Sequence, residues 1–115
     1  MRSSILAKSK KTKKPKQSSS PIQVEERVQY ITIISDRFME DLHWWTGIDS
    51  KIASRILNLA KDTKRDPFKG LGKPEPLKHE GSGIWSRRIS DLHRLVYKVD
   101  NGRIEFLQCR YHYDD

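Results

Sequence analysis

One half of this chain gathers nearly all the side chains that could do chemistry: Glu75, Lys78, Arg87, Arg88, Arg94, Arg110, His112 and Tyr113. A carboxylate, an imidazole and several guanidinium groups suffice to cut RNA without a metal. A base takes the proton from a 2′-hydroxyl, the oxygen attacks the adjacent phosphorus, and an acid protonates the leaving 5′-oxygen. Arginine suits the charge that builds on phosphorus, because its planar fork grips two phosphate oxygens. His43, His79, His93, Cys109 and His112 are too scattered for an ordinary structural zinc site. On composition alone this set is only suggestive, since an exposed Glu or Arg more often forms a surface ion pair.

These residues need a scaffold. Val28 to Ile34 is β-branched and aromatic, which predicts a buried strand. Ser35 or Asp36 can cap a helix whose apolar stripe is Phe38, Leu42 and Trp45. Asp49 or Ser50 can cap a second helix with Ile52, Ile56 and Leu59 on one face, ending near Thr63. Pro67, Gly70, Gly72 and Pro74 mark a loop, and residues 75–79 can form a short strand. Residues 84–90 and 93–99 read as paired strands, with Arg88 and Arg94 able to approach across the hairpin. Asn101-Gly102 signals a tight turn into a last strand over residues 103–111. Alternation along that strand predicts Phe106, Gln108, Arg110 and His112 on one face. The predicted order is β-α-α-β-β-β-β, an α+β fold with both helices on one face of an antiparallel sheet.

The chain has 115 residues, 23 Lys+Arg against 15 Asp+Glu, and a net charge of +8. Seven of the basic residues fall in residues 1–20, which hold no acidic residue, so the rest of the chain is nearly neutral. Residues 1–27 are therefore predicted to be a disordered basic extension, and residues 28–115 the domain. The extension reads first as a solvated leader, next as an RNA-tethering arm and last as a transit segment. Residues 61–100 carry ten basic and six acidic side chains, which predicts a cationic face on the domain. No run of about 18 apolar residues occurs, which argues against a membrane span. A single cysteine, Cys109, fits a reducing cytoplasm.

Three stretches carry a specific resemblance. Residues 61–79, running through Arg65-Asp66-Pro67-Phe68 and Lys73-Pro74-Glu75-Pro76-Leu77-Lys78-His79, resemble the signature of the Txe/YoeB toxins. So do Ser82-Gly83-Ile84-Trp85-Ser86-Arg87-Arg88-Ile89 with His93-Arg94-Leu95-Val96-Tyr97, and the ending Cys109-Arg110-Tyr111-His112-Tyr113. The resemblance implies a RelE-like, microbial-ribonuclease-like fold. It implies the toxin of a type II toxin–antitoxin system, a metal-independent endoribonuclease that needs no cofactor and cuts mRNA in the ribosomal A site. The partners it implies are the bacterial ribosome and mRNA, a YefM/Phd-like antitoxin and a second copy of the chain, with operator DNA reached only through the antitoxin.

Carried over by position, the resemblance implies Glu75 as general base, His112 as general acid, Arg94 as stabiliser of the transition state and Tyr113 as the residue orienting the substrate. Lys78 and Arg88 would contact phosphates. Asp114 and Asp115 follow the tyrosine that usually ends the family, and two extra negative charges there are expected to weaken mRNA binding modestly. The competing reading is a non-catalytic module that blocks the ribosome or acts as co-repressor with an antitoxin. It would arrest translation and leave the message whole, or act only with its partner.

Overall fold

The structure is a computed structural model, and it describes residues 29–111. The basic extension, His112 and Tyr113 lie outside the described residues. Strand β1 (Ile31–Ile34) leads into helix α1 (Asp36–Ile48) and then helix α2 (Ser50–Arg65). Strands β2 (Glu75–Pro76), β3 (Ile84–Arg88), β4 (Arg94–Asp100) and β5 (Arg103–Gln108) follow, with a 3₁₀ turn at Lys78–Glu80. The α+β class and the element order agree with the expectation.

The helices start where short polar side chains can take orphan backbone donors. Ser35 accepts from Phe38 N and donates its own hydroxyl to Leu107 O at 2.9 Å, tying the start of α1 to the end of β5. Asp49 serves both helices. Its backbone N–H closes α1 on Trp45 O, and its carboxylate accepts from Lys51 N and Ile52 N to open α2. Two residues past the expected end, α2 places Lys64 and Arg65 against its own C-terminal dipole.

The five strands lie in the order β1-β5-β4-β3-β2. Four of them are antiparallel, but β1 joins β5 in parallel, so the sheet is mixed rather than antiparallel throughout. The reason is topological. The αα-hairpin returns the chain to the far edge, and β5 then runs back alongside β1 in the same direction. As an edge strand β1 is also largely exposed, with Ile31 and Ile33 open on the surface, not the buried strand its composition suggests.

Both helices cover one sheet face. Phe38, Trp45, Ala53, Ile56 and Leu59 from the helices pack on Leu95, Tyr97, Ile104 and Phe106 from β4 and β5. The core residues of each strand are two apart, as a pleated strand requires. That leaves the alternate residues for the other face.

Candidate active site

The register defines that other face. Glu75 pairs with Ser86, Ser86 with Val96, and Val96 with Gln108, one row across four strands. Two residues along β3 from Ser86 stands Arg88, directly opposite Arg94 of β4. Glu75, Arg88 and Arg94 therefore share the face that the helices do not cover, with Glu75 and Arg88 about 8 Å apart at Cα on ordinary sheet spacings.

Gln108 belongs to this row because of a bulge. The pairing shifts between Val96↔Gln108 and Tyr97↔Phe106, which makes Leu107 an extra residue on β5. Strict alternation would keep Gln108 on the face of Phe106, as the sequence suggested; the extra residue moves it to the opposite one. The strand then ends, three residues earlier than expected, and Cys109 just beyond it is fully buried. Asp41 takes the Cys109 backbone N–H at 3.0 Å and the Trp45 indole donates to Cys109 O at 2.9 Å. Burial pushes the Cys109 thiol well above its ordinary range, with the Asp41 carboxylate adding to the rise, so it is poorly suited to nucleophilic work.

Glu75 sits on a two-residue edge strand, far shorter than the stretch over 75–79 that its sequence suggested, and it is exposed. It makes no side-chain hydrogen bond or ion pair among the described residues. Pro74 and Pro76 lack N–H donors, which an edge strand tolerates. The ladder is still held at both ends, by Arg88 N to Gly72 O at 2.6 Å and Leu77 N to Ile84 O at 2.8 Å. Lys78 lies just beyond, in the 3₁₀ turn and exposed.

Arg87 and Arg88, one residue apart, have opposite fates. Arg88 is half-exposed and lies 3.6 Å from the Asp91 carboxylate, a solvent-screened contact. Arg87 is fully buried. Its guanidinium donates to Asp62 Oδ2 at 2.7 Å, to the carbonyls of Asp66, Lys69 and Leu71, and to the Tyr97 hydroxyl. Tyr97 in turn donates to Pro67 O at 2.6 Å. The loop between α2 and β2, which carries Glu75, is thus stapled to β3 from beneath. Burial alone would raise the Asp62 carboxyl, but donors from Arg65, Leu71 N and Arg87 outweigh it and hold it down at about 2. Gly72 has a φ of +77°, and a Cβ there would come within 2.9 Å of Leu59 and 3.1 Å of Arg88 O. Only glycine fits this approach.

Arg94 is divided between two tasks. Its Nη1 donates to the carbonyls of Ser90, Asp91 and His93, closing the β3–β4 turn. Its other guanidinium nitrogens make no hydrogen bond among the described residues. The backbone N–H of Arg94 donates to Tyr111 O at 3.2 Å, so the chain leaves the described residues beside Arg94. Trp45 and Phe38 are core residues as expected, whereas Trp44 is 37% exposed and carries the Arg110 guanidinium 3.6 Å over its ring. Among the described residues, no three His, Cys, Asp or Glu side chains come together as a metal cage.

Residues 34–113 match the family described as the YoeB-like toxin of bacterial type II toxin–antitoxin systems. Toxin YoeB of Escherichia coli (strain K12) is 51% identical over 81 residues, which is 70% of this chain and 96% of that protein. The YoeB dimer from Staphylococcus aureus superposes with a TM-score of 0.66 at 38% identity, covering 74% of this chain and 99% of the other. A heterotetrameric YoeB–YefM toxin–antitoxin complex from the same organism gives 0.63 at 38% identity over the same shares. With four-fifths of the described strands and both helices inside the matched span, and the Glu75, Arg88 and Arg94 face intact within it, this chain belongs to the YoeB family of type II toxin–antitoxin toxins.

Proposed function

We propose that this YoeB-family toxin is a metal-independent endoribonuclease that cuts mRNA held in the A site of the bacterial ribosome. Glu75 takes the proton from the 2′-hydroxyl. O2′ attacks the adjacent phosphorus, and the guanidinium groups of Arg94 and Arg88, together with the Lys78 ammonium, neutralise the charge that builds there. His112 gives a proton to the departing 5′-oxygen, and Tyr113 orients the substrate. The products are a 2′,3′-cyclic phosphate and a 5′-hydroxyl.

The observation that carries this reading is the shared face of Glu75, Arg88 and Arg94. The last described residue before His112 is bonded to Arg94 at its edge. An exposed carboxylate with two guanidinium groups on its own sheet face offers a base and an anion clamp over a single linkage. The domain outside the tail is near neutral, so free RNA is held weakly and the ribosome supplies the in-line geometry, worth several kcal/mol of positioning. The Staphylococcus aureus dimer and toxin–antitoxin complex support a homodimer and a YefM/Phd-like antitoxin for this chain as well. The same proposal has operator DNA reached only through the antitoxin and the cytoplasm as the site of action.

The test is the chemistry of the cut ends. Purified protein is mixed with programmed ribosomes and, separately, with the same mRNA alone, and the fragments are mapped. Cleavage confined to ribosome-bound message, leaving a cyclic phosphate and a 5′-hydroxyl, supports the reading. Blocked translation with the message whole supports the non-catalytic binder instead.

A further inference from the structure

Tyr111 has a φ of +64°, a left-handed conformation that costs free energy in any residue with a Cβ. It follows the end of β5 and turns the chain just before His112. Both of its backbone polar groups are held by two consecutive residues of the β3–β4 turn. Arg94 N donates to Tyr111 O, and Tyr111 N donates to His93 Nδ1 at 2.8 Å. The second bond constrains the imidazole. Nδ1 can accept only when it carries no proton, so the ring is neutral with its proton on Nε2.

His93 is built as a fixed post. Its carbonyl accepts from Ile89 N, Ser90 N and Arg94 Nη1, and its N–H reaches Ser90 Oγ. Its ring stands edge-on to Trp45 at 4.9 Å and lies 5.1 Å from the Tyr111 ring. We propose that neutral His93 is a positioning residue. By accepting the Tyr111 N–H it holds the left-handed turn of the C-terminal segment against the edge of the Arg94 face. This rests on the reading of His112 as proton donor.

Among the described residues, the charged and titratable groups facing His93 come from three places. Its own turn supplies the Arg94 guanidinium and the exposed Asp91. The C-terminal segment supplies the Tyr111 phenol and Arg110, which lies over the Tyr111 ring. From α1 comes the uncharged Trp45, with Asp41 one turn earlier and already bonded to Arg37 and Cys109 N. Protonating His93 replaces the acceptor with a donor facing a donor, and the turn loses its hold.

Two substitutions separate the acceptor from the ring. His93→Asn puts an amide oxygen near the place of Nδ1, while His93→Phe keeps a ring on Trp45 and offers no acceptor. For each, hydrogen exchange of the Tyr111 amide, affinity for programmed ribosomes and single-turnover cleavage are measured on the full chain. The Phe variant is expected to exchange and cut differently from wild type by at least about tenfold, faster and slower respectively, with ribosome affinity within about twofold. The Asn variant stays within about threefold of wild type.

A Phe variant that cuts like wild type, or an Asn variant as slow as the Phe variant, overturns the proposal. Should the Phe variant not fold, an Asn variant whose Tyr111 amide exchanges, or whose message is cut, at least about tenfold differently from wild type overturns it equally. A wild-type protein that leaves the message whole overturns the ribonuclease reading and the positioning role together, and the wild-type control distinguishes that failure from one confined to the variants.

Discussion

The buried Arg87 guanidinium meets Asp62 Oδ2 at 2.7 Å, joining the middle of β3 to the last turns of α2. The remaining donors of Arg87 bind three loop carbonyls and one phenol, so this arginine orders the segment that leads to Glu75. A lysine carries one point charge and cannot span those directions. Arg87→Lys is expected to lower stability by about 2–4 kcal/mol, because it leaves buried carbonyls unsatisfied. Denaturant unfolding at neutral pH checks the loss.

Acid should attack the same junction. The Asp62 carboxyl is held at about 2, against an ordinary value of 3.8. A folded-state value below the unfolded one gives stability that is fully present above about pH 4. It is lost as pH falls from there through about 2. The contribution is on the order of 1–2 kcal/mol, nearer the lower figure where water screens the carboxylate. Unfolding free energies at pH 5 and pH 2.5 should differ less in Asp62→Asn than in wild type.

Gly72 tests the close packing of that loop on β3. Gly72→Ala forces a Cβ toward Leu59 and Arg88 O on a left-handed backbone. A stability loss of about 2 kcal/mol or more is expected, with a drop in cleavage because the strand holding Glu75 is displaced. Gly47, where an added Cβ meets nothing within 4 Å, is the matched control: Gly47→Ala should leave both the melting temperature and the cleavage rate near wild type.

Arg88 and Arg94 should separate in their effects, although they face each other. Arg88 is half-exposed and makes one screened ion pair. Arg88→Ala is expected to weaken binding to programmed ribosomes and flatten its salt dependence, with stability within about 0.5 kcal/mol of wild type. Arg94→Ala also removes three hydrogen bonds to turn carbonyls, so it should lower stability by about 1–2 kcal/mol as well as activity. Thermal melts alongside salt titrations of binding decide the matter.

Features set by neighbouring residues could be read in advance. Ser35 and Asp49 cap helices through bonds spanning two or three positions, and Asn101-Gly102 supplies the two left-handed residues of its turn. The opposition of Arg88 and Arg94 followed from the hairpin between them. What escaped depends on distant partners. The parallel seat of β1 on β5 joins residues some seventy positions apart. The Leu107 bulge is set by pairing with β4, and it alone puts Gln108 on the face of Glu75. Nothing local marks Arg87 rather than Arg88 as the buried one, because its partner Asp62 lies 25 residues earlier. Nothing local marks His93 as the partner of Tyr111, since only the fold brings Tyr111 N to its Nδ1. The three signature stretches located Glu75, Arg88 and Arg94 in sequence; the register supplied their common face.

The role of Glu75 is the most direct test of the account. Glu75 is exposed and supports no described side-chain contact, so Glu75→Gln should melt within a degree or two of wild type. Single-turnover cleavage of mRNA on programmed ribosomes should nevertheless slow by at least about 10²-fold, the ordinary worth of a positioned base, with ribosome binding retained. A folded, ribosome-bound Glu75→Gln protein that cuts at the wild-type rate would contradict the account.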